Sequence, residues 1–566
     1  MKVQPYTMQT NILHKVEQRE MLIKSTSFYY YLIILTVAWN SNFKAESAKV
    51  LDTIELWNAS TFTIPPNSKS PVHHLQGNFK LNSDDRLEIQ IIEDRFNLME
   101  SLGKKITSLP VLEIQLITTD EFIIPIDRGV QTTEHSYWEY LLEPGQVWYL
   151  SDMWSQASMP FALSERNANC THNGLIGFKY NTLGDIKDVR IQIATETCPY
   201  LKFNLQGNLT AKFRPNLYQN KDSIIASYLS EREHRVPISS LQQFSTDYPE
   251  IDAELLKPKD FANTSTYGLS FNNKHYQSKC FSRAGNYPYC DHFALPSYSL
   301  AKTIFAGMSF IYLDRKYKHF STIPVTDYIP ECRGKGWEKV SIKHLVNMET
   351  GHYQSPKMMV DESAVSIAPF FDSESSKDKI QFACSEYPLQ ENAGKTWVYH
   401  TSDHYLAGVF MTRFMRQKTG NNNYDLYRDL LRYNILSQLN LSPLLNDSKR
   451  TYDSSAQPFV GWGLTLLSDD LVKISNLLNT TAKQILVSDR LNNESTFQYD
   501  SGYWFLNLQS SNVCADKIWQ PFLSGYGGIT VALLPNNMNF YQFTDGYSFN
   551  WRHVLKVLNS INPVCS

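Results

Sequence analysis

The sequence predicts a mixed α+β protein in two unequal parts, a β-rich N-terminal domain and a C-terminal domain of helices around strands. Three observations carry this. Residues 46–260 hold short runs rich in β-branched side chains, among them Leu112–Thr118, Glu121–Ile126, Val189–Ile193 and Lys202–Leu205. Turn signals such as Pro144-Gly145 and Asn173-Gly174 separate them. From about residue 275 the apolar spacing becomes helical, with a few strands near the C-terminus. Between the two regimes the polar passage Asp260 to Asn273 reads as a linker. The expected division is a signal peptide or N-terminal anchor over 1–45, a β-rich accessory domain over 46–260, a linker over 261–274 and a second domain over 275–566.

Taking these segments in chain order, Phe28 to Trp39 is an apolar run preceded by Lys24. It is shorter than the ~20 residues a spanning helix needs, but matches the apolar core of a signal peptide. An exported protein is therefore expected: periplasmic, in the cell envelope or secreted. An uncleaved anchor is the alternative and would be the only membrane contact. The β-rich domain holds two of the eight cysteines, Cys170 and Cys198, which are natural disulfide partners. Its dense segment Met159–Gly174 could line a ligand site or form a buried loop pinned by Cys170. The other six cysteines lie in the C-terminal part, where sequence leaves the pairing open. No bridge is expected to cross residue 265.

Composition narrows the function classes. The 566 residues carry 53 Lys plus Arg against 56 Asp plus Glu, a net charge of −3, so there is no electrostatic footprint for nucleic acid. Hydrophobic residues at 42% and charged residues at 19% exclude a disordered chain. A mean hydropathy of −0.35 excludes a polytopic membrane protein. His292, His344, His400 and His404 show no metal-binding spacing, no C-x-x-C pair is present, and His400, next to Tyr399, is expected either to face a pocket or to lie at the surface. Neither metal nor cofactor is expected.

The C-terminal domain carries the candidate nucleophile. Ser299-Leu300-Ala301-Lys302 fits S-x-x-K, a spacing that places Lys on the Ser side of a helix. A serine hydroxyl needs a nearby base, and a lysine disfavoured in its charged form can be one. Four copies of the tetrapeptide occur, at Ser41, Ser101, Ser299 and Ser376. Ser41 falls in the leader, Ser101 precedes Gly103, and Ser376 sits in the polar run SESSKDK, which reads as solvated. Only Ser299 opens a long amphipathic stretch, with Ile304, Phe305, Met308, Ile311 and Tyr312 at helical spacing.

Further motifs follow in order: VSIKHLVNMETGHY over 340–353, then Gly394-Lys395-Thr396-Trp397-Val398-Tyr399-His400-Thr401 leading into HYLAGVF, then Leu523-Ser524-Gly525-Tyr526-Gly527-Gly528-Ile529. Over roughly residues 285–560 this order resembles the β-lactamase-related serine hydrolases. These include class C β-lactamases, D-alanyl-D-alanine carboxypeptidases, related esterases and 6-aminohexanoate-dimer hydrolases. The resemblance implies a β-lactamase-like fold, an antiparallel sheet flanked by helices, for 275–566. It also implies Ser299 as the acylated serine, Lys302 as its helix lysine and Tyr399 as the proton-shuttling tyrosine of a Y-x-N motif. An oxyanion hole is implied from the Ser299 N–H and the strand near Ser524, Gly525 and Tyr526.

Two positions depart from the pattern. Thr401 replaces the Asn of Y-x-N, with one hydroxyl in place of an amide's donor and acceptor. Leu523 stands where penicillin-recognising members place a cation for the substrate carboxylate. The glycines after Tyr526 suggest close backbone approach to a ligand. The expected activity is an exported serine hydrolase cleaving an amide or ester of a small-molecule or short peptide-like substrate. A D,D-peptidase or β-lactamase, and a catalytically inactive binding protein that keeps the fold, are the alternatives.

Overall fold

The computed structural model describes residues 53–82, 87–485 and 496–565; the apolar run Phe28–Trp39, expected to be a signal peptide or anchor, lies outside them. Among these residues the chain is α+β, with two large, mainly antiparallel sheets flanked by helices. The first sheet has 12 strands, all within residues 76–215. Its centre is the run Gly145–Ser151, Trp154–Glu165, Thr171–Tyr180, Ile186–Thr197 and Leu201–Leu209. Every pairing in it is antiparallel between strands adjacent in sequence, so short turns suffice. Its core stacks Phe79 on Phe178 at 4.9 Å and buries Trp138, Tyr180 and Phe203. The Cys170–Cys198 disulfide ties two of the central strands together.

The second sheet runs in the order Ile238–Ser240, Lys274–Gln277, Thr264–Phe271, Asn539–Thr544, Ile529–Leu533, Trp519–Gly525, Tyr503–Asn507, Phe497–Asp500. Only the Ile238–Ser240 pairing is parallel. Leu523, Val531 and Tyr541 pack into the core that holds the helical segment Lys302–Lys316 and the buried helix Thr401–Thr419. Phe522, Ala532 and Phe540 pack into another core with the C-terminal helix Arg552–Leu558. The period-2 alternation of a strand produces this split.

The segment 261–274 is not a linker. Thr264–Phe271 is a fully buried strand of the second sheet. The passage reads as polar because its hydroxyls are consumed inside: Thr264 Oγ1 donates to Asp260 O at 2.8 Å and Ser265 Oγ to Glu196 O at 3.0 Å. The chain passes between the sheets earlier, through the helix Lys221–Glu233 that follows the last first-sheet strand, Ala211–Pro215.

Ion pairs join the two parts: Lys449 with Glu139 at 2.9 Å and Lys202 with Asp545 at 2.8 Å are buried, and Arg283, partly exposed, meets the buried Glu196 at 2.6 Å. The remaining disulfides are Cys280–Cys290, Cys332–Cys384 and Cys514–Cys565. None crosses residue 265, and no cysteine is free.

Candidate active site

Ser299 sits at a turn between a short strand and a helix. Leu295–Pro296 pairs with Thr465–Leu466, and the chain then turns through Tyr298 at φ 41°. A bulky side chain in that left-handed region is a true outlier and costs about 1–3 kcal/mol. Asn169 of the first sheet's Glu165–Thr171 turn secures it. Its Oδ1 accepts from the Tyr298 N–H at 2.9 Å, the Gly463 N–H at 2.9 Å and Ser297 Oγ at 3.3 Å. Beyond Ser299 the helix begins with a π-helical turn, Lys302–Gly307, followed by α-helix Met308–Lys316. π-turns often mark functional sites. This one seats against Ser501-Gly502, where a methyl on Gly307 would lie 2.3 Å from Ser501 O.

Two side chains converge on the Ser299 hydroxyl: Tyr399 Oη at 2.7 Å and Lys302 Nζ at 3.0 Å. Lys302 Nζ also donates to Thr401 Oγ1 at 2.9 Å and Gly461 O at 3.3 Å. Burial pushes the Lys302 ammonium down to about 8, opposed by the charge of Glu362. Burial pushes the Tyr399 phenol far up, with Glu362 adding to it and the Ser299 bond opposing it. Near neutral pH the phenol is therefore a proton donor, while the amine is within reach of its neutral form.

Glu362 gave no sequence signal. It accepts the Thr401 N–H at 2.9 Å and the Thr401 hydroxyl, so its carboxylate covers the N-terminus of the 19-residue helix Thr401–Thr419. Thr401 thus accepts from Lys302 and donates to Glu362, so its single hydroxyl is used in both directions within the site.

All seven residues named from sequence, Ser299, Lys302, Tyr399, Thr401, Ser524, Gly525 and Tyr526, line one cavity of about 980 Å³. Glu165, Asn167, Ala168 and Asn169 line it too, so the segment Met159–Gly174 both forms a hairpin and walls the site.

Four sequence expectations change here. Leu523 does not face the cavity: strand alternation turns it into the helical core, opposite Val531. The cationic residues of the cavity wall are instead Arg95, Lys302 and Arg552. Gly527 and Gly528 are not among the residues that line the cavity; their φ of 89° and 106° let the chain pass Thr544 and Ser548, and a methyl on Gly528 would lie 2.4 Å from Thr544 Oγ1. Ser376 and Lys379 are buried, not solvated. Lys379 Nζ donates to Phe370 O at 2.5 Å, and Ser376 Oγ accepts from Tyr405 Oη at 2.8 Å, so the two do not form a nucleophile and base. His400 is neither at the surface nor in the cavity wall. It lies beneath Tyr387, 3.0 Å from Asp361. Burial opposes its charge, but Asp361 and Asp403 raise its pKa to about 9.

Among the described residues the His/Cys/Asp/Glu group compact enough for a metal is Cys170, His172 and Cys198, and the disulfide occupies both sulfurs.

No family model matches this chain, and no curated protein matches it. Solved structures are matched at low identity. A Bacillus anthracis protein provisionally assigned as a 6-aminohexanoate-dimer hydrolase is 14% identical with a TM-score of 0.39, covering 53% of this chain and 78% of its own. A class C β-lactamase is 16% identical with a TM-score of 0.37, covering 61% and 99%. A penicillin-binding protein homologue from Caulobacter crescentus is 12% identical with a TM-score of 0.37, covering 59% and 97%.

Proposed function

We propose that the protein is an exported serine hydrolase that cleaves an amide or ester bond through an acyl-serine intermediate. The convergence of Tyr399 and Lys302 on Ser299 Oγ, inside a cavity, carries the reading. In the mechanism Ser299 Oγ attacks the carbonyl carbon as neutral Lys302 takes the hydroxyl proton. The tetrahedral oxyanion collapses, the bond to the leaving group breaks, and Tyr399 passes a proton to that group while being replenished from the Lys302 ammonium. Water then adds to the acyl-serine, gives its proton back along the same relay, and releases the acid with Ser299 restored. Thr401 and Glu362 hold Lys302 against the serine throughout. Four disulfides support export, since such bonds persist in oxidising compartments.

The test is covalent labelling with a fluorophosphonate probe. The native protein is expected to be labelled and Ser299→Ala not, with hydrolysis of a simple ester falling by a factor of about 10³ or more. Absent labelling with unchanged hydrolysis in Ser299→Ala removes the reading. Nitrocefin turnover would move it to the penicillin-recognising branch.

A further inference from the structure

Resting on that reading, we infer that the substrate is an ester or amide of a long aliphatic acyl chain, bound along an aromatic ladder that leads away from Ser299. The ladder begins at the proton-shuttling phenol itself. Tyr399 stacks on Trp504 at 6.3 Å and 18°, Trp504 on Phe522 at 6.1 Å and 29°, and Phe522 meets Trp551 at 5.3 Å. All four rings line the cavity. A group in contact with successive rings must be elongated; a single compact acyl group would leave the far rings uncovered. The Met358-Met359 pair and Phe371 extend the apolar lining, and Phe96 and Tyr200 add to it from the N-terminal part. At about 980 Å³ the cavity is at the upper end of the range for small-molecule sites, which suits a chain more than a short acyl group.

A second observation points the same way. Met359, Tyr526 and Phe549 are 41%, 40% and 47% exposed, and all three line this one cavity. Large apolar side chains left open together at the rim of a cleft mark a binding surface. Of the charged groups of the wall beyond Lys302, three are engaged elsewhere, which leaves Asp372 and Arg552. Glu362 is held by Thr401, Glu165 accepts from Tyr200 Oη, and Arg95 binds Glu93 and lies 4.4 Å above the Tyr547 ring. A highly charged substrate would bury charge there with few partners, which is costly, whereas methylenes lose only water.

The experiment is a series of p-nitrophenyl esters from acetate to decanoate with the full chain. We expect kcat/KM to rise about fourfold for each methylene between acetate and octanoate. Trp551→Ala, at the far end of the ladder, is expected to lower the ratio of decanoate to acetate kcat/KM by about tenfold. A flat or falling series in the native protein overturns the inference, and that result does not depend on the variant folding. A folded Trp551→Ala protein with an unchanged ratio also overturns it. Fluorophosphonate labelling of Ser299 separates the two levels: labelling with a flat series removes the acyl-chain inference alone, while absent labelling without ester hydrolysis removes the hydrolase reading beneath it as well.

Discussion

At the residue scale the site is a short proton chain whose members set one another's charge. Lys302 must lose its proton to act as base, and two influences oppose each other there. Burial favours the neutral amine and the Glu362 carboxylate favours the ammonium, with the balance at about 8. The Tyr399 ring faces Nζ at 4.8 Å, and burial together with the Lys302 charge keeps His404 far below its usual range and so neutral. Glu362 is the carboxylate acting on Lys302. The kcat/KM profile, which reports the free enzyme, should therefore rise with pH through a midpoint near 8. In Glu362→Gln the opposing charge is gone, the amine deprotonates more easily, and the midpoint should move to lower pH by about one unit. An unmoved midpoint would show that Lys302 is not the titrating base. Ser299, Lys302 and Tyr399 were legible in sequence because a helix turns i and i+3 to one side and the flanking motifs fall in order. Glu362 was not, because it comes from an irregular segment with no period and meets Thr401 only through tertiary packing.

At the scale of elements, the turn that presents Ser299 depends on a side chain from the other sheet. Asn169 is fully buried and its one carbonyl oxygen satisfies the Tyr298 and Gly463 N–H groups, while its amide donates to Leu464 O at 3.4 Å. Asn169→Ala leaves two buried donors unpaired, each worth about 1–3 kcal/mol, and removes the clamp on the left-handed Tyr298. We expect a lower melting temperature and slower fluorophosphonate labelling, measured side by side. Asn169→Asp keeps the acceptor and should recover part of both; equal loss in the two variants would contradict the acceptor role. The strands of the first sheet were readable from β-branched runs and turn signals. The contribution of Asn169 was not, since a buried asparagine in a turn looks like any polar turn residue. The strand Thr264–Phe271 was hidden for a related reason: threonine and serine suit a strand interior when partners take up their hydroxyls, and sequence does not show the partners.

At the scale of the whole molecule, the two sheets are expected to unfold as one unit because charges are buried across their junction. Glu139, in the first sheet, and Lys449, 310 positions later, are almost fully buried. Lys449 Nζ also donates to Glu165 O, and Tyr452 Oη donates to Glu139 at 2.7 Å. A buried pair of this kind need not exceed its own desolvation cost, but removing one partner strands the other charge, typically at about 3–5 kcal/mol. Glu139→Ala should therefore lower the unfolding temperature of the entire chain. Because the hairpin that holds Glu165 also carries Asn169, Ser299 labelling should be lost along the same thermal curve. Replacing both charges, as in Glu139→Leu with Lys449→Met, should recover most of the loss, because no unpaired charge remains. Calorimetry on the native chain, Glu139→Ala and the double variant, with labelling followed at each temperature, tests the coupling. One shared transition in all three is expected. If the first sheet melted separately while Ser299 kept its reactivity, the first sheet would be an appendage and the nucleophile turn would stand without Asn169.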